Sequence, residues 1–354
     1  MTRIHLIYPH NAARISTPDA IGVELGRRLA QRHEVIYYDW DAPQTIRPEP
    51  GDVLLGHAHP IPFTIFRNSM KQPGWRRVLL MAPYAHSDLR YIAFLRHVVP
   101  HCDAFLAITG RYWFQRVAQT PCAHWLPRMI HLDLAVNRDH FPPMKHAFNP
   151  PGERRFVYIG NDHVPKNIPY LDKIARYQPI DWIGNGSNRY SHLRRLGFLN
   201  FKEEAARQRI ADYDFLITVG SSDANPTTIL EAMAWGLIPV CTPQSGYEGY
   251  KGIINVPLND VEGAVAVLRY LQQVDESQLR EWQAINWNLL DSHFNWDRFA
   301  RQVEESIHTH VCRPEIQPMS LSQRLQMTAH EIAAYRRPRQ LKLAARQIVR
   351  RLRK

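Results

Sequence analysis

Short apolar runs separated by longer segments of helical spacing organise this chain. Ile4 to Tyr8 reads as a strand, followed after a polar loop by a helix within residues 16–33 and a second strand over 34–40. In that helix Ile21, Leu25 and Leu29 recur at helical spacing and are expected to face a sheet. Thr17 is the expected N-cap, with Pro18 at the first helical position and Asp19 in the first turn, where the helix dipole favours an acid. DVLLGHA, RRVLLMA and DAFLAIT continue the series, with room for crossover helices between them. Around FPPMKHAFNPPGERR the pattern dissolves into Pro, Gly and charge, which predicts a linker. A second series follows in RFVYIG, IDWIGNG, DFLITVG, LIPVCTP and GIINVP, with helices expected over 168–177, 202–212, 226–235 and 260–272.

Strands alternating with helices imply parallel, doubly wound α/β sheets, here two Rossmann-like domains in tandem over 1–148 and 152–312 and a helical basic tail over 313–354. A length of 354 residues suits two domains. Hydrophobic residues at 45% and charged residues at 22% argue against disorder, collagen-like repeats and coiled coil. No run approaches the roughly 18 apolar residues of a spanning helix, and the opening MTRIHLIYPHN has neither an apolar signal core nor a cleavage site, which predicts a cytoplasmic protein. Cys102, Cys122, Cys241 and Cys312 show no CxxC spacing and suggest neither a zinc site nor a disulfide framework. The net charge of +11 is concentrated at one end. Residues 336–354 hold nine Lys or Arg and no acid, and removing them leaves the body at about +2.

The chemistry concentrates in SSDANPTTILEAMAWGLIPV, residues 221–240. Asn225 can cap a helix, Pro226 suits its first position and Gly236 its C-terminal stop. Such a helix begins at the carboxyl edge of a strand, where open parallel sheets bind ligands, and the N–H groups of Thr227 and Thr228 favour an anion such as phosphate. Glu231 then falls roughly 7 to 8 Å beyond Pro226 along the axis, at 1.5 Å per residue. That offset suits a diphosphate at the helix end with a ribose beside the carboxylate. An ordinary capped amphipathic helix is the alternative.

This stretch resembles the retaining glycosyltransferases of family 4, whose GT-B fold sets two Rossmann-like domains facing a cleft. In that family two glutamates with seven residues between them bracket a Gly- and Pro-containing loop. Asp223 and Glu231 fill those places, and Asn225, Pro226, Leu230, Ala232, Gly236 and Pro239 match. The resemblance implies that Glu231 binds ribose hydroxyls and that Asp223 is a catalytic group near the donor sugar. Asp223 is one methylene shorter than the usual glutamate, and Ala224 replaces a glycine. FVYIGNDHVPKN is similar to the family's strand, turn and Lys-Asn segment. Gly160, Lys166 and Asn167 match, while Asn161 stands where a diphosphate-binding arginine is expected. Arg154, Arg155, Arg189, Arg194 and Arg195 are the cations that can replace it. WIGNGSN and LRRLGFLNF look like the segments flanking the base, which implies nucleotide contacts for Gly184, Gly197 and Phe198, with Gly186 permitting close backbone approach. FNWDRFARQVEESI resembles the family's closing helix.

In the first half the resemblance is topological. His86 matches the histidine that faces the donor sugar, against the alternative of a loop histidine preceding Ser87 and Asp88. The family's glycine pair after the first strand is absent, leaving Gly22. His57 and His59 share one strand face but lack a third ligand, and Asp39 with Asp41, a DxD look-alike, closes a strand; neither pair is read as a metal site.

These residues point to a metal-independent, retaining transferase that moves a sugar from a nucleotide diphosphate sugar to a hydroxyl acceptor, glycan or lipid-linked, with no other cofactor. The acceptor side is assigned to the first domain and the nucleotide to the second, in cell-envelope glycan or glycolipid synthesis. Leu341, Ile348 and Leu352 can line one face of a basic amphipathic helix over 336–354, an anchor to an anionic membrane on its cytoplasmic side. A GT-B protein that has lost catalysis and serves as a binding or scaffold subunit is the alternative. Nucleic acid is not an expected partner, because the body is nearly neutral and no recognition motif is present.

Overall fold

The computed structural model describes residues 1–13, 16–60, 63–86, 89–309 and 319–335, which form two parallel six-stranded sheets. They belong to two units, one of residues 1–108, 114–132 and 299 onward, the other of 109–113 and 133–298. In the first unit β1 (Arg3–Ile7), β2 (Glu34–Tyr38), β3 (Val53–Gly56), β4 (Arg77–Pro83), β5 (Ala104–Ile108) and β6 (Met129–Leu132) lie in the order β2-β1-β3-β4-β5-β6. β3 and β5 are buried along their whole length, as expected of strands covered on both faces. β6 has no counterpart in the sequence reading. It is an edge strand with two half-buried positions, Ile130 and His131, so its apolar signal is weak.

Helices α1 (Thr17–Leu29), α2 (Ile65–Ser69), α3 (Leu89–Ile92) and α4 (Arg111–Arg116) occupy the connections. The cap of α1 is Ser16 and not Thr17: Ser16 is extended, and its hydroxyl accepts from the Asp19 N–H at 3.2 Å, which moves Thr17 and Pro18 inside the helix. Gly22 is required by packing, since a Cβ there would lie 2.0 Å from the Pro9 carbonyl oxygen.

In the second unit β7 (Phe156–Ile159), β8 (Ile180–Ile183), β9 (Arg194–Gly197), β10 (Phe215–Thr218), β11 (Ile238–Cys241) and β12 (Ile254–Asn255) run in the order β12-β11-β10-β7-β8-β9. Phe156 pairs with Phe215 in the β7–β10 register and their rings stack at 4.8 Å. β9, the half-charged RRLG, lies in the segment that resembles the family's base-flanking one and for which the sequence predicts no strand. It pairs as a strand because Arg194, opposite Asp181 in register, forks onto both carboxylate oxygens of that residue. Helices α5 (Ile168–Ala175), α6 (Glu204–Gln208), α7 (Thr227–Trp235) and α8 (Val261–Gln273) fall where the sequence placed them, and α9 (Glu276–Ser292) adds a long helix that it did not.

The stretch 141–155 is packed into the second unit instead of linking domains. Lys145, 2% exposed, reaches the fully buried Asp214 at 3.0 Å, and Asp214 also accepts from the Asn149 side chain and the Arg155 N–H, both at 2.8 Å. The chain accordingly enters the second unit at Asp133. After α9 come α10 (Trp296–His308) and α11 (Leu321–Tyr335). The latter, assigned to the tail from sequence, belongs to the first unit: Met327 joins the core cluster of Phe94 and Leu95, and Arg96 holds Glu331 at 2.9 Å. The basic stretch 336–354 and Cys312 lie outside the described residues.

Candidate functional site

In the second sheet the chain steps outward from β7 to β8 and β9 on one side, and from β10 to β11 and β12 on the other. The crevice at the carboxyl ends of β7 and β10 is therefore the switch point where open α/β sheets bind ligands. Two loops meet there. After β7 comes Gly160, at φ +153°, then Asn161 and a single 3₁₀ turn over Val164–Lys166. After β10 comes Gly220, whose position leaves no space for a side chain: a Cβ would stand 2.9 Å from Asp223 Cβ and 3.3 Å from the Pro165 carbonyl oxygen. The Ser221 N–H donates to that same carbonyl at 2.9 Å. This contact sets Lys166 against Asp223, with Nζ 2.6 Å from Oδ2 and the two side chains 22% and 18% exposed.

Asn225 does not cap α7. It holds a left-handed φ of +45° and is 2% exposed, its N–H donating to the Ser245 carbonyl at 3.2 Å. Pro226 takes the N-cap position and has no side-chain donor or acceptor to offer, so α7 begins at Thr227 with Thr228 second and no side-chain cap. Around this helix end the Asn225 amide and the Ser222 and Ser245 hydroxyls are buried without hydrogen-bond partners. Buried polar atoms are normally paired, so the helix end carries an unused set of donors and acceptors in addition to the dipole. One turn further on, burial raises the pKa of Glu231 to about 7, against the opposing influence of the Thr227 hydroxyl and the Lys166 charge.

The glycines differ in kind. Gly184, at φ +140°, lies so close to the β7 loop that a Cβ would meet the Gly160 carbonyl oxygen at 2.1 Å, and Gly186 is pressed onto the Trp182 ring. Trp182 Nε1 donates to that Gly160 carbonyl at 2.8 Å, tying the ends of β7 and β8 together. Gly197, at φ +78°, has open space around it and serves the turn alone. Phe198 beside it is 68% exposed.

Asn161, in the place of the expected arginine, spends its side chain locally by accepting from the His163 N–H at 3.1 Å. Of the candidate replacement cations, Arg154 is buried, its Nη2 donating to the Val274 carbonyl at 3.2 Å, while Arg155 and Arg194 both face Asp181. Arg189 lies over the Tyr190 ring at 4.8 Å. Arg195 lies over Trp182 at 5.3 Å and donates to Asn188. Ser222, Ser245 and Trp182 were missed from sequence, since a lone serine or tryptophan carries no spacing signal.

No protein-family model matches the chain, and no curated protein matches it by sequence. Solved structures do. Sucrose-phosphate synthase from Thermosynechococcus elongatus superposes with a TM-score of 0.64 at 13% identity over 86% of this chain and 98% of that one. HepE from Anabaena, in complex with UDP and glucose, gives 0.61 at 10% identity over 87% and 99%. An alpha-glucosyltransferase in complex with UDP-glucose and DNA containing an abasic site gives 0.57 at 12% identity over 87% and 99%. The chain has the GT-B fold.

In the first unit of this GT-B chain the sheet order reverses between β1 and β3, where His57 and His59 follow β3 with ring centroids 4.7 Å apart. Burial, then the neighbouring His59, lowers the His57 pKa well below the usual histidine range, and burial lowers that of His59 to about 4, so both rings are neutral at pH 7. His86 follows β4, half-buried, its pKa lowered by burial and then by Arg116. Asp39 and Asp41 follow β2; burial and then the Asp41 charge raise the pKa of Asp39.

Proposed function

We propose that the protein is a glycosyltransferase that moves a sugar from a nucleoside diphosphate sugar to a hydroxyl acceptor with retention at the anomeric carbon. The observation that carries this reading is the Lys166–Asp223 pair at the switch point beside the uncapped start of α7. The diphosphate takes the helix N-terminus at Thr227 and Thr228 and the Lys166 ammonium, and Glu231 binds the ribose hydroxyls. The loops that carry Gly160, Asn161, Gly184 and Gly197 contact the nucleotide, and exposed Phe198 offers a face to the base. Asp223 contacts the donor sugar, and His86 is the candidate sugar ligand of the first unit.

In the transfer the bond between the anomeric carbon and the phosphate oxygen breaks, and the acceptor oxygen bonds to that carbon on the same face. The acceptor proton passes to the departing phosphate oxygen. Positive charge develops on the sugar and negative charge on the leaving diphosphate, which the helix N–H groups and Lys166 stabilise in place of a metal ion.

UDP is the first nucleotide to try, because several of the solved neighbours carry it. A nucleoside diphosphate at one hundred times its dissociation constant should stabilise the protein by about 2.7 kcal/mol, and UDP release from a UDP-sugar with glycan or lipid-linked acceptors should survive chelation by EDTA. A panel of nucleoside diphosphates that leaves the melting temperature unmoved would overturn the reading. Binding without release in the presence of acceptors would favour a non-catalytic GT-B subunit, a second reading favoured by Asn161, whose side chain is committed to its own turn.

Among the described residues no helix is long and apolar enough to cross a membrane. The proposed anchorage to an anionic membrane on its cytoplasmic side, in envelope glycan or glycolipid synthesis, rests on the nine bases of 336–354. Salt-sensitive sedimentation with anionic but not neutral liposomes, lost in a chain ending at Tyr335, tests it; equal behaviour of both chains would remove it.

A further inference from the structure

Three metal-ligand side chains converge in the first unit. Glu304 and His308 are four residues apart on α10 and share one face. His33 comes from the turn between α1 and β2, where its N–H donates to the Leu29 carbonyl at 2.9 Å. One donor atom of each lies within 4.8 Å of the others, the one such group among the described residues. His33 Nε2 is 3.4 Å from Glu304 Oε1, and the His33 and His308 ring centroids are 5.7 Å apart. A tetrahedral ion bound at about 2.0 to 2.2 Å holds neighbouring donors about 3.3 to 3.6 Å apart. The His33–Glu304 spacing already meets this. Exposed His308, on the last turn of α10, can close the rest by rotation.

A second observation is independent of that spacing. His33 is 7% exposed, yet neither of its ring nitrogens makes a hydrogen bond, Nε2 having only the 3.4 Å contact with Glu304. Nitrogens without hydrogen bonds on a buried imidazole are costly unless something fills the place of a partner. Glu304 and His308 also line a cavity of about 470 Å³, together with Arg32, Arg301, Glu305 and Thr309. Arg32 Nη1 donates to both Glu304 oxygens, Oε2 at 3.1 Å and Oε1 at 3.3 Å. Oε1 also faces His33, so a cation bound there leaves the shorter Oε2 bond to the arginine as the outer contact that fixes the carboxylate.

We propose that His33, Glu304 and His308 form a binding site for a divalent transition-metal ion of the zinc type. Two imidazoles and one carboxylate suit a borderline ion, with a fourth position open to the cavity for water or a small anion. Bound there, the ion ties α10 to the α1–β2 turn and acts on the stability of the first unit, not on sugar transfer. The ligand nitrogens must be unprotonated to bind the ion, so protons compete with the metal for them.

Tag-free full-length protein, stripped with a chelator and titrated with Zn²⁺ in a calorimeter, should bind one equivalent, and Co²⁺ should give the visible absorption of a tetrahedral site. His308→Ala and Glu304→Gln should each weaken binding by about tenfold or more, and Zn²⁺ should raise the melting temperature of the parent protein but not of either variant. His308 is exposed, so its replacement leaves the fold intact, and His140→Ala in the second unit serves as a control with unchanged affinity. Absence of saturable one-to-one binding, or equal affinity in the parent and both variants, would overturn the proposal.

Discussion

Lys166 and Asp223 stand fifty-seven residues apart in the chain and 2.6 Å apart in space. Each follows one of the two strands, β7 and β10, between which the second sheet reverses its order. The carboxylate neutralises the lysine in the free protein, so a diphosphate arriving at α7 must share that cation with Asp223.

This sharing separates the two residues in a binding experiment. Lys166→Ala should weaken nucleoside diphosphate binding by about 1.5 to 3 kcal/mol, the range for a hydrogen bond to a charged group. Asp223→Asn should leave that affinity equal or improved, because the ammonium is released, while lowering kcat. Calorimetry with UDP and turnover of a UDP-sugar read the two quantities. Weaker UDP binding in Asp223→Asn would contradict the sharing.

Glu231 should make stability depend on pH. Its pKa is raised from 4.5 to about 7 in the folded chain, so the unfolded state ionises first and stability falls as pH rises between those values. Glu231→Gln removes the effect. Denaturant melts at pH 5 and pH 8 should show a smaller pH-dependent loss in the variant, and UDP affinity in the parent should climb toward pH 7 as the ribose-binding carboxylate ionises. Parallel pH profiles for parent and variant would refute this.

Gly184 and Gly197 give a matched pair. Gly197→Ala meets no neighbour and should cost about 1 to 2 kcal/mol for its left-handed backbone alone. Gly184→Ala adds a collision with the Gly160 carbonyl at 2.1 Å, so it should lower the melting temperature further and shift the turn that leads to Lys166. Thermal melts and UDP titration of both variants check the order, and equal effects would refute the packing argument.

The Lys145–Asp214 pair should be among the costly polar sites. Lys145→Met leaves a buried carboxylate without its cation, with an expected loss of about 3 to 5 kcal/mol. Adding Asp214→Asn should recover part of it. Urea melts of the single and double variants measure the coupling, and a loss below about 1 kcal/mol in Lys145→Met would show that the Asn149 and Arg155 bonds suffice.

The sequence by itself determined the α/β class, the two series of strands and a helix over 226–235, one residue longer than α7, because buried parallel strands and amphipathic helices leave apolar periods that need no partner to be read. It also drew attention to Asp223, Glu231, Lys166 and Gly160, through spacing within two short segments. It mistook 141–155 for a linker, since Pro and Gly look alike in a linker and in a packed loop, and nothing local to Lys145 announces Asp214. It left β6 and β9 unread because an edge strand with a histidine or two arginines has no continuous apolar run. It placed the cap of α7 on Asn225, whose left-handed backbone is imposed by the neighbouring Ser245 segment. Only the tertiary structure decided that Lys166 is paired with Asp223, that Glu231 is buried enough to hold its proton near neutrality, and that His33 meets a helix that begins more than two hundred and fifty residues later. Strand order and loop packing, which no short window of sequence encodes, set all three.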